Sequence, residues 1–98
     1  MTAYLIVDTK ISDPDAYEEY KRLARPIAEK FGGRYLARGG AMEVIEADLW
    51  SPTRMVLIAF PDMESARGFI DSPEYAPVKP IRHANADCTM VLFEGTGA

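Results

Sequence analysis

Apolar residues crowd into three short runs of the chain: AYLIVDT at 3–9, RMVLIAF at 54–60 and DCTMVLFE at 87–94. Each is rich in β-branched and aromatic residues and predicts a strand. Between the first two lies ISDPDAYEEYKRLARPIAEKF, in which Tyr17, Tyr20, Ala24, Ile27, Ala28 and Phe31 recur every three or four positions, the stripe of an amphipathic helix. Asp13 before Pro14 supplies a cap and a proline at the first helical position. Pro26 lacks a backbone donor and predicts a kink without a break, because the stripe continues past it. Gly32-Gly33 ends the helix, RYLAR (34–38) reads as a strand, and MEVIEA (42–47) resumes the strand pattern beyond Gly39-Gly40. The second glycine pair is compatible with a hairpin turn or with a bulge in one bent strand. The bulge is the preferred reading, since a separate fifth strand has no natural place. DLWSPT (48–53) is a loop. Asp62 caps a helix through about residue 71, with Met63, Ala66, Phe69 and Ile70 on one face. Pro73, Pro77 and Pro80 limit 72–86 to short helical turns and loop, beginning at a Ser72 cap, and GTGA is a fraying tail.

The order is β-α-β-β-α-β, which predicts a ferredoxin-like α+β fold: a four-stranded antiparallel sheet with both helices on one face, as a single domain over 1–98. A strand with one wet face alternates apolar and polar residues, but Ala3–Val7, Met55–Phe60 and Thr89–Phe93 are apolar on both faces. Two helices cover one face of four strands, which leaves on the order of 300 Å² of apolar sheet bare. A second copy of the chain, sheet against sheet about a two-fold axis, is the expected partner, with the proline-rich 72–86 segment folding over part of that face as the alternative.

Composition narrows the partners further. The chain has 98 residues, 48% of them apolar, and a formal charge of −4. The acidic balance argues against nucleic acid and against an anionic membrane surface. The β-α-β-β-α-β order is shared with the RNA recognition motif, but RMVLIAFP lacks the basic-Gly-aromatic signature of its RNA-binding strand. No apolar run approaches the ~20 residues of a membrane span, and MTAYLIVDTK does not read as a signal peptide. Cys88 is the single cysteine, so a reducing, cytoplasmic location is the simplest expectation.

Candidate chemistry is sparse. FGGRYLARGG (31–40) is not a phosphate loop: its first glycine pair follows a helix where a phosphate loop precedes one, and its second lies between strand segments. Strand alternation puts Arg34, Leu36 and Arg38 on one face. Arg38 is the better ligand-binding candidate because it abuts the glycine pair, with pairing to Glu43, Glu46 or Asp48 as the structural alternative. His83, the only histidine, is the candidate catalytic base, and Arg82 beside it a candidate anchor for an anionic ligand; a solvated loop histidine is the plainer reading. Tyr17, Tyr20 and Tyr75 can line a pocket or fill the core, and Tyr20 is the ligand-binding candidate among them. A metal site is not expected, since there is one histidine and Cys88 stands alone. No cofactor motif is present, and Trp50 is expected at a subunit contact.

GGRYLARGG (32–40), PTRMVLIAFP (52–61) and SPEY (72–75), together with EVIE, IR and a late FEG, resemble the bacterial "domain of unknown function" family numbered 1330 over about residues 3–95. Ala47 departs from a common glycine and Ala59 from a common glutamate. The resemblance implies a dimeric α+β barrel. It assigns no activity and no catalytic residues. Three functions are weighed: a small-molecule site without cofactor, for an acidic or carbonyl compound held by Arg38, Arg82 and Tyr20 with His83 moving a proton; a non-catalytic structural or stress-related dimer; and RNA binding, disfavoured by the acidic charge.

Overall fold

The computed structural model describes residues 1–96. The chain forms β1 (Ala3–Ile11), α1 (Pro14–Lys30), β2 (Arg34–Arg38), β3 (Met55–Phe60), α2 (Met63–Ile70), α3 (Lys79–Asn85) and β4 (Ala86–Glu94). The strands make one antiparallel sheet in the order β2-β3-β1-β4, the ferredoxin-like arrangement, with a third short helix added before the last strand.

Local chemistry sets the element ends. Asp13 accepts from the Ala16 N–H at 3.2 Å and Asp62 from the Ser65 N–H at 2.7 Å, so each helix starts on a carboxylate that satisfies an otherwise orphaned donor. α1 runs unbroken through Pro26, whose exposed position lets water reach the carbonyl it leaves unpaired. It ends where Gly32 takes φ +86, with the Gly33 N–H returning to the Ala28 carbonyl at 2.8 Å. Ser72 opens the proline-rich segment: its hydroxyl donates to the Phe69 carbonyl at 2.9 Å and accepts from the Tyr75 N–H at 3.1 Å. In the C-terminal tail, the Gly95 N–H donates to the Thr2 carbonyl at 2.7 Å, whereas Gly97 and Ala98 lie outside the described residues.

One side of the sheet carries the core. Leu5, Val7, Val56, Ile58 and Phe60 pack against Ala24 and Ala28 of α1, Ala66 and Phe69 of α2, and Tyr75. Phe69 sits between Phe60 and Tyr75, with ring centroids 5.7 and 4.7 Å away. The other side shows two apolar rows that follow from the register: Phe93–Tyr4–Ala59 and Val91–Ile6–Leu57. Val91 and Phe93 remain 44% and 41% exposed, and no helix covers these rows.

Two expectations need correction. Residues 42–47 do not continue β2: the strand stops at Arg38, Gly39 turns at φ +69, and 39–54 forms a loop with no regular structure. A strand needs a neighbour to satisfy its backbone groups, and none stands beside this segment. The bulge lies earlier, where the pairing with β3 shifts between Tyr35 and Ala37, making Leu36 the extra residue. Arg34 and Arg38 therefore do not share a face. Arg34 pairs with Ala59 on the open side, and Arg38 pairs with Val56 on the helix side.

Candidate functional site

The loop that replaces the expected strand is held by one carboxylate. Asp8, buried in β1, accepts through Oδ1 from the Thr53 N–H (2.8 Å), the Thr53 hydroxyl (3.0 Å) and the Arg54 N–H (3.0 Å), and through Oδ2 from the Trp50 indole (3.0 Å). Burial pushes the Asp8 carboxyl up, but these four donors outweigh it and hold the group below its ordinary value. Trp50 is thus tied first to its own chain. The clamp also fixes where β3 starts, and so aims Arg54. The Arg54 guanidinium crosses Gly39, whose absent Cβ would fall 2.6 Å from Nε, and reaches the Thr9 hydroxyl at 3.4 Å.

Arg54 leads into a cavity of about 40 Å³ between α1 and the β2–β3 side of the sheet. Its floor is Val7, Ala24, Val56 and Ile58, its walls are Tyr17, Tyr20 and Tyr35, and its rim is Lys21, Arg38 and Arg54. No carboxylate lines it. Lys21 pairs with Glu18 at 2.7 Å, while neither Arg38 nor Arg54 joins an ion pair among the described residues. Arg38 instead stacks on the Tyr35 ring, 5.2 Å from its centroid, and Arg25 lies 5.6 Å from the same ring. The rim's positive field reaches Glu18, whose carboxyl is lowered first by its bond to Lys21 and further by the charges of Lys21, Arg38 and Arg54. Burial raises the hydroxyls of Tyr17, Tyr20 and Tyr35 above the ordinary phenol value, so all three are neutral near pH 7 and can donate a hydrogen bond.

The sequence candidates divide around this cavity. Arg38 and Tyr20 meet at it. Behind Tyr20, its hydroxyl shares a 2.6 Å hydrogen bond with that of Tyr75, which is fully buried. Arg82 lies deeper still, only 7% exposed, near Tyr75, Tyr20 and Cys88, with no carboxylate partner and no partner at all for Nε among the described residues. His83 is exposed on α3 and does not line the cavity. Its Nε2 lies 3.2 Å from Arg82 Nη2, and because a guanidinium only donates, His83 is the acceptor and a neutral ring carries its proton on Nδ1. Adjacent residues on a helix point about 100° apart, which sends Arg82 inward and His83 outward. Lys21 and Arg54 were not singled out from the sequence; only a pairing of β3 with both β1 and β2 makes Arg54 a neighbour of Gly39 and Thr9. Among the described residues no group of three histidine, cysteine or acidic side chains converges as a metal site, and no helix is long and apolar enough to cross a membrane.

Solved structures share this fold at low identity. A protein of unknown function from Rhodopseudomonas palustris superposes with a TM-score of 0.76 at 17% identity, over 99% of this chain and 84% of that one. A dimeric ferredoxin-like protein of unknown function from a Jannaschia species gives 0.72 at 14% identity, over 97% and 100%. SnoaB, a cofactor-independent oxygenase from Streptomyces nogalater, gives 0.69 at 14%, over 99% and 95%. No curated protein sequence matches the chain. The family model described as a domain of unknown function, DUF1330, matches residues 2–96, and it spans both the bulged strand that carries Arg38 and the strand that carries Arg54. The chain is therefore a member of the DUF1330 family.

Proposed function

We propose that this protein is a homodimer, joined through the open sheet face, in which each protomer binds the anionic end of a small carboxylate-bearing molecule at the α1–sheet cavity. The observation that carries the binding site is the meeting of two guanidiniums without carboxylate partners, Arg38 and Arg54, at an apolar cavity walled by neutral tyrosines. A guanidinium left without a partner at a partly dry site favours a carboxylate, which it can hold through two parallel hydrogen bonds. Tyr20 walls the cavity beside Arg38 and Arg54, and its hydroxyl is free to donate only where Tyr75 is the donor in the bond between the two tyrosines. The cavity of about 40 Å³ admits a carboxylate or carbonyl head but not a whole ligand, since ligand pockets usually run to ~300 Å³ or more. The body of the molecule would rest at the mouth beside Lys21 and Arg38. His83 has no part in this reading, because it faces solvent and accepts from Arg82.

The dimer rests on the uncovered rows through Tyr4, Ile6, Leu57, Val91 and Phe93 and gains support from a related fold described as dimeric. A cofactor-independent oxygenase shares this fold, and one fold hosts many activities, so an enzyme acting without a cofactor is compatible with the same site. The small cavity favours a second reading, a non-catalytic dimeric module. Titration with benzoate and benzamide, followed by backbone amide shifts, separates the two. The binding site requires benzoate-selective shifts at residues lining the cavity and a loss of roughly 10-fold or more in affinity for Arg38→Gln and Arg54→Gln, the size of one charge-assisted hydrogen bond. Equal response to both compounds, or unaltered affinity in the variants, removes the anion site.

A further inference from the structure

Residues 42–47 carry a strand pattern that one chain leaves unused. From Met42 to Trp50, five large apolar side chains stand exposed: Met42, Val44, Ile45, Leu49 and Trp50. Ile45 is 83% and Leu49 92% exposed, and every residue from 36 to 51 faces solvent. A structureless stretch from 39 to 54 exceeds the ~12–15 residues beyond which loops in compact domains are usually functional or disordered. This composition is not that of a disordered segment, which is poor in β-branched and aromatic residues. Both ends are also fastened: the Gly39 N–H donates to the Met55 carbonyl at 2.9 Å, and Asp8 holds Trp50 and Thr53. The loop is an arm with a fixed base and an apolar length.

We infer that this arm docks on a second copy of the chain, laying residues 42–50 across the partner's open sheet face while the partner's arm does the same in return. The inference rests on the sheet-face dimer proposed above and names the element that makes it stable. Four strands at ~4.8 Å spacing and five residues in length offer only on the order of 300 Å². A stable dimer buries ~800 Å² on each partner, so the sheet alone falls well short. Nine extended arm residues form a ribbon ~30 Å long that covers on the order of 300 Å² at the ~10 Å width of one packed layer. About a two-fold axis each chain both gives and receives an arm, so arm and arm-covered sheet together bury ~600 Å² on each chain, ~1,200 Å² in all, the lower end of the range for specific interfaces. Charge favours the β2 edge. The arm holds Glu43, Glu46 and Asp48 and no basic residue between 41 and 50. On the open side of the sheet Arg34 stands at that edge and joins no ion pair among the described residues, whereas Lys10 faces Asp87 across the β1–β4 pair. Laid on the partner's apolar rows, the exposed side chains of Val44 and Ile45 leave water.

Sedimentation equilibrium on the full chain, with hydrogen exchange on the wild type, tests this. Ile45→Asp with Leu49→Asp alters two side chains that contribute nothing to the protomer core, and Val91→Asp alters the sheet face itself. The expected result is a dimeric wild type whose 42–47 amides exchange slowly and lose protection on dilution, with a dimer dissociation constant at least ~10-fold higher in both the arm and the sheet variants. If Val91→Asp dissociates the dimer while the arm variant matches wild type and the 42–47 amides exchange freely, the arm contact is wrong and the sheet dimer stands. A wild type that is monomeric throughout overturns both.

Discussion

Removing the Asp8 carboxylate should release the base of the arm and cost the protein a large part of its stability. Four donors converge on it at 2.8–3.0 Å, two of them main-chain N–H groups that Asp8→Ala would leave without an acceptor. Hydrogen bonds to a charged group contribute ~1.5–3 kcal/mol each when buried and less where water can substitute. The Trp50 and Thr53 donors are only part-buried, so the sum is best placed at ~2–4 kcal/mol. That is a substantial share of the ~5–15 kcal/mol by which a domain is stable, and for a chain of this size it corresponds to a fall in Tm of roughly 10–25 °C. Asp8→Asn is the sharper test. One amide oxygen can still accept from Thr53 and Arg54, but an NH₂ facing the Trp50 indole sets donor against donor. Trp50 is the only tryptophan, so its emission reports this one contact, and a red shift is expected in Asp8→Asn at moderate loss of Tm. The pH dependence has a definite sign. The native Asp8 carboxyl lies below its unfolded value, so its contribution is complete above about pH 4 and is lost as pH falls through the lower native value. The gap in stability between wild type and Asp8→Asn should therefore narrow on acidification. A Tm within ~2 °C of wild type for Asp8→Ala, or unshifted Trp50 emission in Asp8→Asn, would refute the clamp.

Gly39→Ala should cost ~1–2 kcal/mol for a side chain at φ +69 and push the Arg54 guanidinium aside, so thermal melts and benzoate titration should both register it; a variant with full benzoate affinity would show that Arg54 is not aimed by this glycine. Arg82→Met removes a buried cation that lacks a carboxylate partner, and its Tm should equal or exceed that of wild type; a fall of more than ~5 °C would mean that Arg82 is holding the Tyr20–Tyr75 pair in place.

The regular elements were readable because their signals are local. Asp13, Asp62 and Ser72 cap what their positions indicate, and Gly32 ends α1 in the left-handed conformation that glycine tolerates. What escaped is long-range or frustrated within one chain. MEVIEA has strand chemistry, but a strand forms only beside another, and no neighbour is present within the protomer. The bulge at Leu36 carries no glycine to mark it, and that one extra residue sends Arg38 into the cavity while Arg34 stays on the open face. Asp8 and Thr53 are 45 positions apart, and Arg54 meets Gly39 only after the loop has returned. Tyr20 and Arg38 both line the cavity, but Arg38 stood out by its place beside Gly39-Gly40 and not by the bulge at Leu36 that aims it; the burial of Arg82 and the exposure of His83 depended on the rotation of α3, which Pro80 within it and Pro73 and Pro77 before it obscured.

The central claim is that the apolar rows on the open side of the sheet are covered by a second copy. The most direct measurement is the mass of the unmodified protein at micromolar concentration by sedimentation equilibrium. Twice the 10.9 kDa chain mass is the expected result, and a cooperatively folded species at 10.9 kDa would contradict it.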